Sequence, residues 1–108
     1  MDLVNLANTI VDAAGAVRVA KVHVDARQKL AKDNGFTNVE LATEEANLET
    51  AAKRLELLKG IASIALEGAS AEFERSNQRY QQGLEGQREV LEAQSKMKML
   101  QLIVKSAE

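Results

Sequence analysis

The chain contains no cysteine, no proline and no tryptophan, and its aromatic residues are one tyrosine and two phenylalanines. Without cysteine there is no disulfide framework, no thiolate nucleophile and no thiolate metal site. That usage fits a reducing compartment, and the cytoplasm is the expected location, with export by a signal-less route left open. A single histidine, His23, has no second histidine or cysteine with which to share a metal. Di-metal carboxylate bundles need Glu-x-x-His pairs, and the sequence has none. Its serines lie in no nucleophile motif, and no glycine-rich loop follows a strand to cradle phosphate. Catalysis, cofactor binding, metal binding and a small-molecule substrate are therefore not expected.

Charge of one sign is also scarce. The 14 basic and 16 acidic residues are interspersed and leave a formal charge of -2, so no basic stripe advertises nucleic acid. The first residues lack a basic region ahead of their apolar positions, and Asp12, Arg18 and Lys21 interrupt the run that a signal peptide would require. The most apolar window, Leu55 to Leu66, includes Glu56 and Lys59 and falls short of the ~20 residues of a transmembrane helix. Neither a cleavable signal nor a membrane span is expected.

What remains is rich in Ala, Glu, Leu, Lys, Gln and Arg, the composition of long helices and coiled coils. Leu3, Leu6, Ile10, Ala13, Val17, Ala20 and Val24 step by alternating threes and fours, a heptad seam that predicts a helix over about 2–32. Val4, Ala7, Val11 and Ala14 widen that seam, with Asn5, Asn8, Asp12 and Gly15 opposite. Val17, Val19, Val22 and Val24 alternate as in a strand, but the heptad covers far more residues and decides for helix. His23 flanks the seam.

Residues 33–37 punctuate the chain. Asn34 and Gly35 tolerate the left-handed conformation that closes a helix. Thr37 is placed to cap the next helix with Glu40 reaching back, and Phe36 and Leu41 to staple its first turn. Glu40, Glu44 and Glu45 crowd that helix start, where the helix dipole favours acids and where a divalent ion is the less favoured use.

Beyond Val39 no strong breaker occurs. Leu48, Leu66, Leu84 and Leu102 recur every 18 residues, as do Leu55, Phe73 and Leu91, with Leu41, Ala62, Ala69 and Tyr80 between them. Eighteen residues are about five turns of helix, so one stripe keeps its phase across Gly60, Gly68, Gly83 and Gly86. This predicts a single helix over about 38–106, giving one all-α domain over 1–108: an antiparallel, coiled-coil-like hairpin with a long second arm. The alternative is a three-helix bundle with a break near Gly68 or at Gly83–Gly86.

A long arm would overhang the first by roughly 50 Å and leave apolar residues uncovered. A second stripe, Leu57, Ile61 and Ile64, then Val90, Ala93, Met97, Leu100 and Val104, adds to them. The candidate self-association surface is Leu57, Ile61, Ile64, Phe73, Tyr80, Leu84, Val90, Leu91, Met97, Leu100 and Val104. Arg75, Arg79 and Arg88 around Tyr80 read as a solvated face.

The segment Asn38-Val39-Glu40-Leu41-Ala42, followed by Glu44 and Asn47-Leu48, resembles the stretch that opens the C-terminal helix of bacterial flagellar rod and hook proteins. Where that family usually carries an Arg-x-Tyr step, this chain reads Lys53-Arg54-Leu55. The resemblance implies an exported helical subunit of a tubular assembly. The residues themselves point to a non-enzymatic module that self-associates as a structural or scaffold subunit, or to a small chaperone or adaptor holding a partner helix.

Overall fold

A computed structural model describes residues 2–34 and 38–107, with the side chains of Asn34 and Asn38 outside the description. The described residues are helical throughout apart from short connections and contain no strand. They form α1 (Leu3–Asn34), α2 (Asn38–Gln81) and α3 (Gln87–Ser106).

The start of α1 is set by Asp2. Its carboxylate accepts the Val4 amide at 2.9 Å while its carbonyl accepts the Leu6 amide at 3.0 Å, so one acid supplies both the cap and the first helical turn. The heptad seam then behaves as the spacing requires. Leu6, Ile10, Ala13, Ala20 and Val24 are buried, and Leu3 and Val17 are half-buried. Val4 and Val11, expected to widen the seam, are exposed. Both project too far round the helix from Leu6 and Val24 to share their cover.

The chain divides into two compact units. One is Asn8–Leu58, an antiparallel hairpin of α1 and the first half of α2. Arg27 meets Glu40 at 3.3 Å and His23 meets Glu44 at 3.7 Å, so a step of four back along α1 matches a step of four forward along α2. Leu41, Leu48 and Leu55 are half-buried on α2 at intervals of seven. Gly35, Phe36 and Thr37, expected to make the turn, lie outside the described residues, as does the side chain of Asn34. Glu40, cast as the reciprocal partner of Thr37, turns its carboxylate to Arg27.

The other unit is Met1–Ala7 with Lys59–Glu108. Here the expectation of one helix through to residue 106 fails: α2 ends at Gln81 and the helix resumes at Gln87, at the break weighed as the alternative. Gly83 makes the stop with φ of 77°, a conformation that costs glycine nothing and any other L-residue roughly 1–2 kcal/mol. Its amide bonds the Tyr80 carbonyl at 3.0 Å and the Leu84 amide bonds the Arg79 carbonyl at 2.8 Å. This paired closure is a Schellman motif. Gly86, extended at φ -82° and ψ 166°, precedes the first turn of α3.

α3 returns antiparallel to the second half of α2. Glu85 accepts the Ser76 hydroxyl and lies 3.4 Å from Arg79, while Lys96 lies 3.9 Å from Glu72. Ala62, Ala69 and Ser76 are buried at intervals of seven along α2, and side chains this small let a neighbouring helix approach closely. On α3, Val90, Ala93, Met97, Leu100, Val104 and Ala107 step by threes and fours and are all buried or half-buried. That seam was expected at the far end of an overhanging arm. With the corner at Gly83 it becomes the inner face of a hairpin.

Candidate interaction surface

Two kinds of surface compete for a functional role. The polar one is a groove of about 560 Å³ between α2 and α3, lined by Glu72, Arg75, Ser76, Arg79, Glu85, Glu89, Glu92, Ala93 and Lys96. Several of its charges are paired. Glu85 holds Ser76 and Arg79, Glu72 holds Lys96, and Glu92 pairs at 3.1 Å with Arg88, outside the lining. These contacts brace the corner between the helices, and the lining mixes four acids with three bases. Among the described residues no three His, Asp or Glu side chains converge to hold a metal ion. His23 is exposed beside Glu44.

The other surface is apolar. Of the expected interface residues, Leu57, Ile61, Ile64, Tyr80, Leu84 and Leu91 are exposed. Phe73, Val90, Met97 and Val104 are half-buried, and Leu100 is 0% exposed. Leu100 is thus covered by the chain itself and offers nothing to a partner. The reason is the corner at Gly83, which turns the Val90–Val104 seam inward.

The same corner explains what the 18-residue rows missed. Leu48 and Leu66, before it, are half-buried, whereas Leu84 and Leu102, after it, are 71% and 68% exposed. Residues 82–86 lengthen the chain without advancing a helix, so phase counted through them is lost.

Each helix consequently carries apolar residues about half a turn from its own buried seam, by the 100° step of an α-helix. On α1 these are Val11 and Val22, opposite Leu6 and Val24; on α2, Ile64 opposite Ala62 and Ala69; on α3, Leu91 and Leu102 opposite Leu100. Val4, Val19, Val39 and Met99 are exposed as well. The sequence signal for Val19 and Val22 was present as a strand-like alternation. It was produced by an α-helix with valines on two sides.

Between the exposed side chains of α2 stand Gly60 and Gly68, where a Cβ would meet nothing within 4 Å. Exposed aliphatics beside open glycines make a shallow relief that a second helix can approach closely. α1 bears on the expected absence of a membrane span. Leu3–Asp33 includes an 18-residue stretch of mean hydropathy 1.2, long and apolar enough by length and composition alone to cross a bilayer, and 17% of that stretch is buried. The rest of the helix carries further charges, among them Lys21, Asp25, Arg27 and Lys29.

Comparison of the chain with protein families, with curated proteins and with solved structures found no match.

Proposed function

We propose that this chain is a non-enzymatic helical interaction module that self-associates, serving as a structural or scaffold subunit of a larger assembly. The supporting observation is the outer apolar face on every helix, set about half a turn from the face that the chain uses for its own core. A solvated helix in a monomer carries one apolar stripe; a helix that is apolar on two sides is covered on two sides. Exposed apolar residues scattered singly need no explanation, but here they recur on opposite faces in register with helical periodicity.

The experiment is light scattering across a wide concentration range, with circular dichroism on the same samples. Self-association requires a particle mass that rises above that of one chain while helicity is retained. A mass of 11.8 kDa at every concentration would end this reading and leave the outer faces for a different protein. A partner helix held in place of a second copy would then be detected as a stable complex of defined stoichiometry, which is the adaptor reading.

A further inference from the structure

The hairpin of α2 and α3 presents two unlike outer strips whose features correspond. On α3, Leu91 and Leu102 are exposed, with exposed Lys98 between them and no acid in the strip that they bound. On α2, exposed Gly60 and Ala71 bracket Glu67 and the exposed Ile64, with no base in that strip. Leu91 and Leu102 are eleven residues apart, and so are Gly60 and Ala71, a separation of about 16 Å on either helix. Two large knobs thus match two small-residue positions, one of which is open space for a Cβ, and the charge enclosed by each pair is opposite in sign. Among the described residues neither Lys98 nor Glu67 makes an ion pair within the chain.

Building on the self-association reading, the geometry points to a head-to-tail contact in which the outer strip of α3 docks on the outer strip of α2 of a second copy. The two helices run antiparallel, with Leu91 over Ala71, Leu102 over Gly60, and Lys98 level with Ile64 and about one turn from Glu67. Direction follows from two observations. α3 is already antiparallel to α2 inside the hairpin, so a copy shifted sideways presents its α2 antiparallel to the first copy's α3. Inside the hairpin Glu72 meets Lys96, which puts Leu91 level with about residue 77, so the stated pairing also needs the second copy to slide by roughly 9 Å along the helix axis. On both helices the charged residue lies to the same side of the apolar pair, and antiparallel packing brings those sides together. In this register Lys98 and Glu67 differ by about 4.5 Å in height, within reach of the lysine stem.

The contact joins two different surfaces, so every copy that docks leaves one free strip of each kind. Heterologous contacts propagate into rings or open arrays and do not stop at a dimer. The wild-type particle mass should therefore continue to rise with concentration.

The test uses the full chain in four forms: wild type, Lys98→Glu, Glu67→Lys, and the double charge swap, each checked for helicity. Turning an attraction into a repulsion should raise the concentration needed for assembly by on the order of fivefold in either single variant. The swap should restore it, as should mixing the two singles. Leu102→Glu, which removes a large knob, should raise it by one to two orders of magnitude. Because the chain has no cysteine, Leu102→Cys mixed with Gly60→Cys gives a clean register probe. These two should cross-link, and Leu102→Cys mixed with Ala71→Cys should not.

A wild type that is monomeric at every concentration overturns this contact together with the self-association reading. A wild type that assembles, with single variants that assemble equally well, overturns the contact alone. Cross-linking only to position 71 overturns the antiparallel register. Unchanged assembly of Lys98→Glu, with lost binding to vesicles of anionic phospholipid, assigns the α3 strip to a membrane surface and overturns the proposal.

Discussion

Leu100→Ala separates a core position from an interface position more sharply than any other single change. The side chain is fully covered within one chain, so truncation removes its transfer free energy and leaves a cavity; for buried leucines the loss is about 2–5 kcal/mol. The unit that contains it buries few large groups. Among the described residues of that unit, its buried companions are Leu6, Ile103, the alanines 62, 69 and 107, and Ser76. Domains of this size are held by roughly 5–15 kcal/mol in total, so the variant should lose a large share of its stability. Urea denaturation followed by circular dichroism, at one fixed protein concentration for both forms, measures the difference. A loss under about 1 kcal/mol, with a fall in particle mass instead, would mean that Leu100 faces another copy and that α3 does not fold back as described.

Gly83→Ala should destabilise by about 1–2 kcal/mol, since the left-handed backbone strains any Cβ; unchanged urea resistance would mean that the chain does not close α2 by this motif. Asp2→Ala removes the cap on α1 and should cost about 0.5–2 kcal/mol, read as a lower thermal midpoint, and no change would deny the cap its role. Glu40→Gln breaks an exposed ion pair with Arg27 and should shift stability by less than about 1 kcal/mol; a larger loss would show that Glu40 also satisfies the buried end of a helix. At a protein concentration where both forms are monomeric, Ile64→Glu should leave urea resistance within about 0.5 kcal/mol of wild type, and a cooperative loss of helix there would place Ile64 in a core.

The first helix was legible because one signal dominated it. A heptad from Leu3 to Val24 needs no knowledge of the rest of the chain, and its seam residues are all buried or half-buried. The second was legible up to Gln81 for the same reason. The α2–α3 corner was legible only as one of two alternative breaks, because its determinants are backbone hydrogen bonds to Arg79 and Tyr80 and one positive φ. In sequence these are only another glycine among six, four of which occur after residue 59. Equal spacing of leucines across Gly83 then lent false support to a continuous helix. For the surface, Leu57, Ile61 and Ile64 were read as projecting away from the first stripe, and they are exposed. Leu100 and its neighbours were assigned to the same surface only because the chain was taken to continue straight.

The character of the inner seams bears on why the outer faces matter. α2 turns Ala62, Ala69 and Ser76 inward over three successive heptads while Ile61 and Ile64 stay outside. An alanine methyl hides far less surface than an isoleucine, at about 0.8 kcal/mol per buried CH₂, so this small-residue seam is a weakly stabilising one. Placing the bulk outside reverses the usual arrangement of a self-sufficient domain. If the outer strips are covered by further copies, the free energy missing from the core is supplied at the contacts, and folding stability becomes dependent on protein concentration by mass action. Helicity and particle mass should then be lost together on dilution. A chain that keeps its full helicity far below the concentration at which it dissociates would show that the small inner seams suffice, and that the outer aliphatics serve recognition alone.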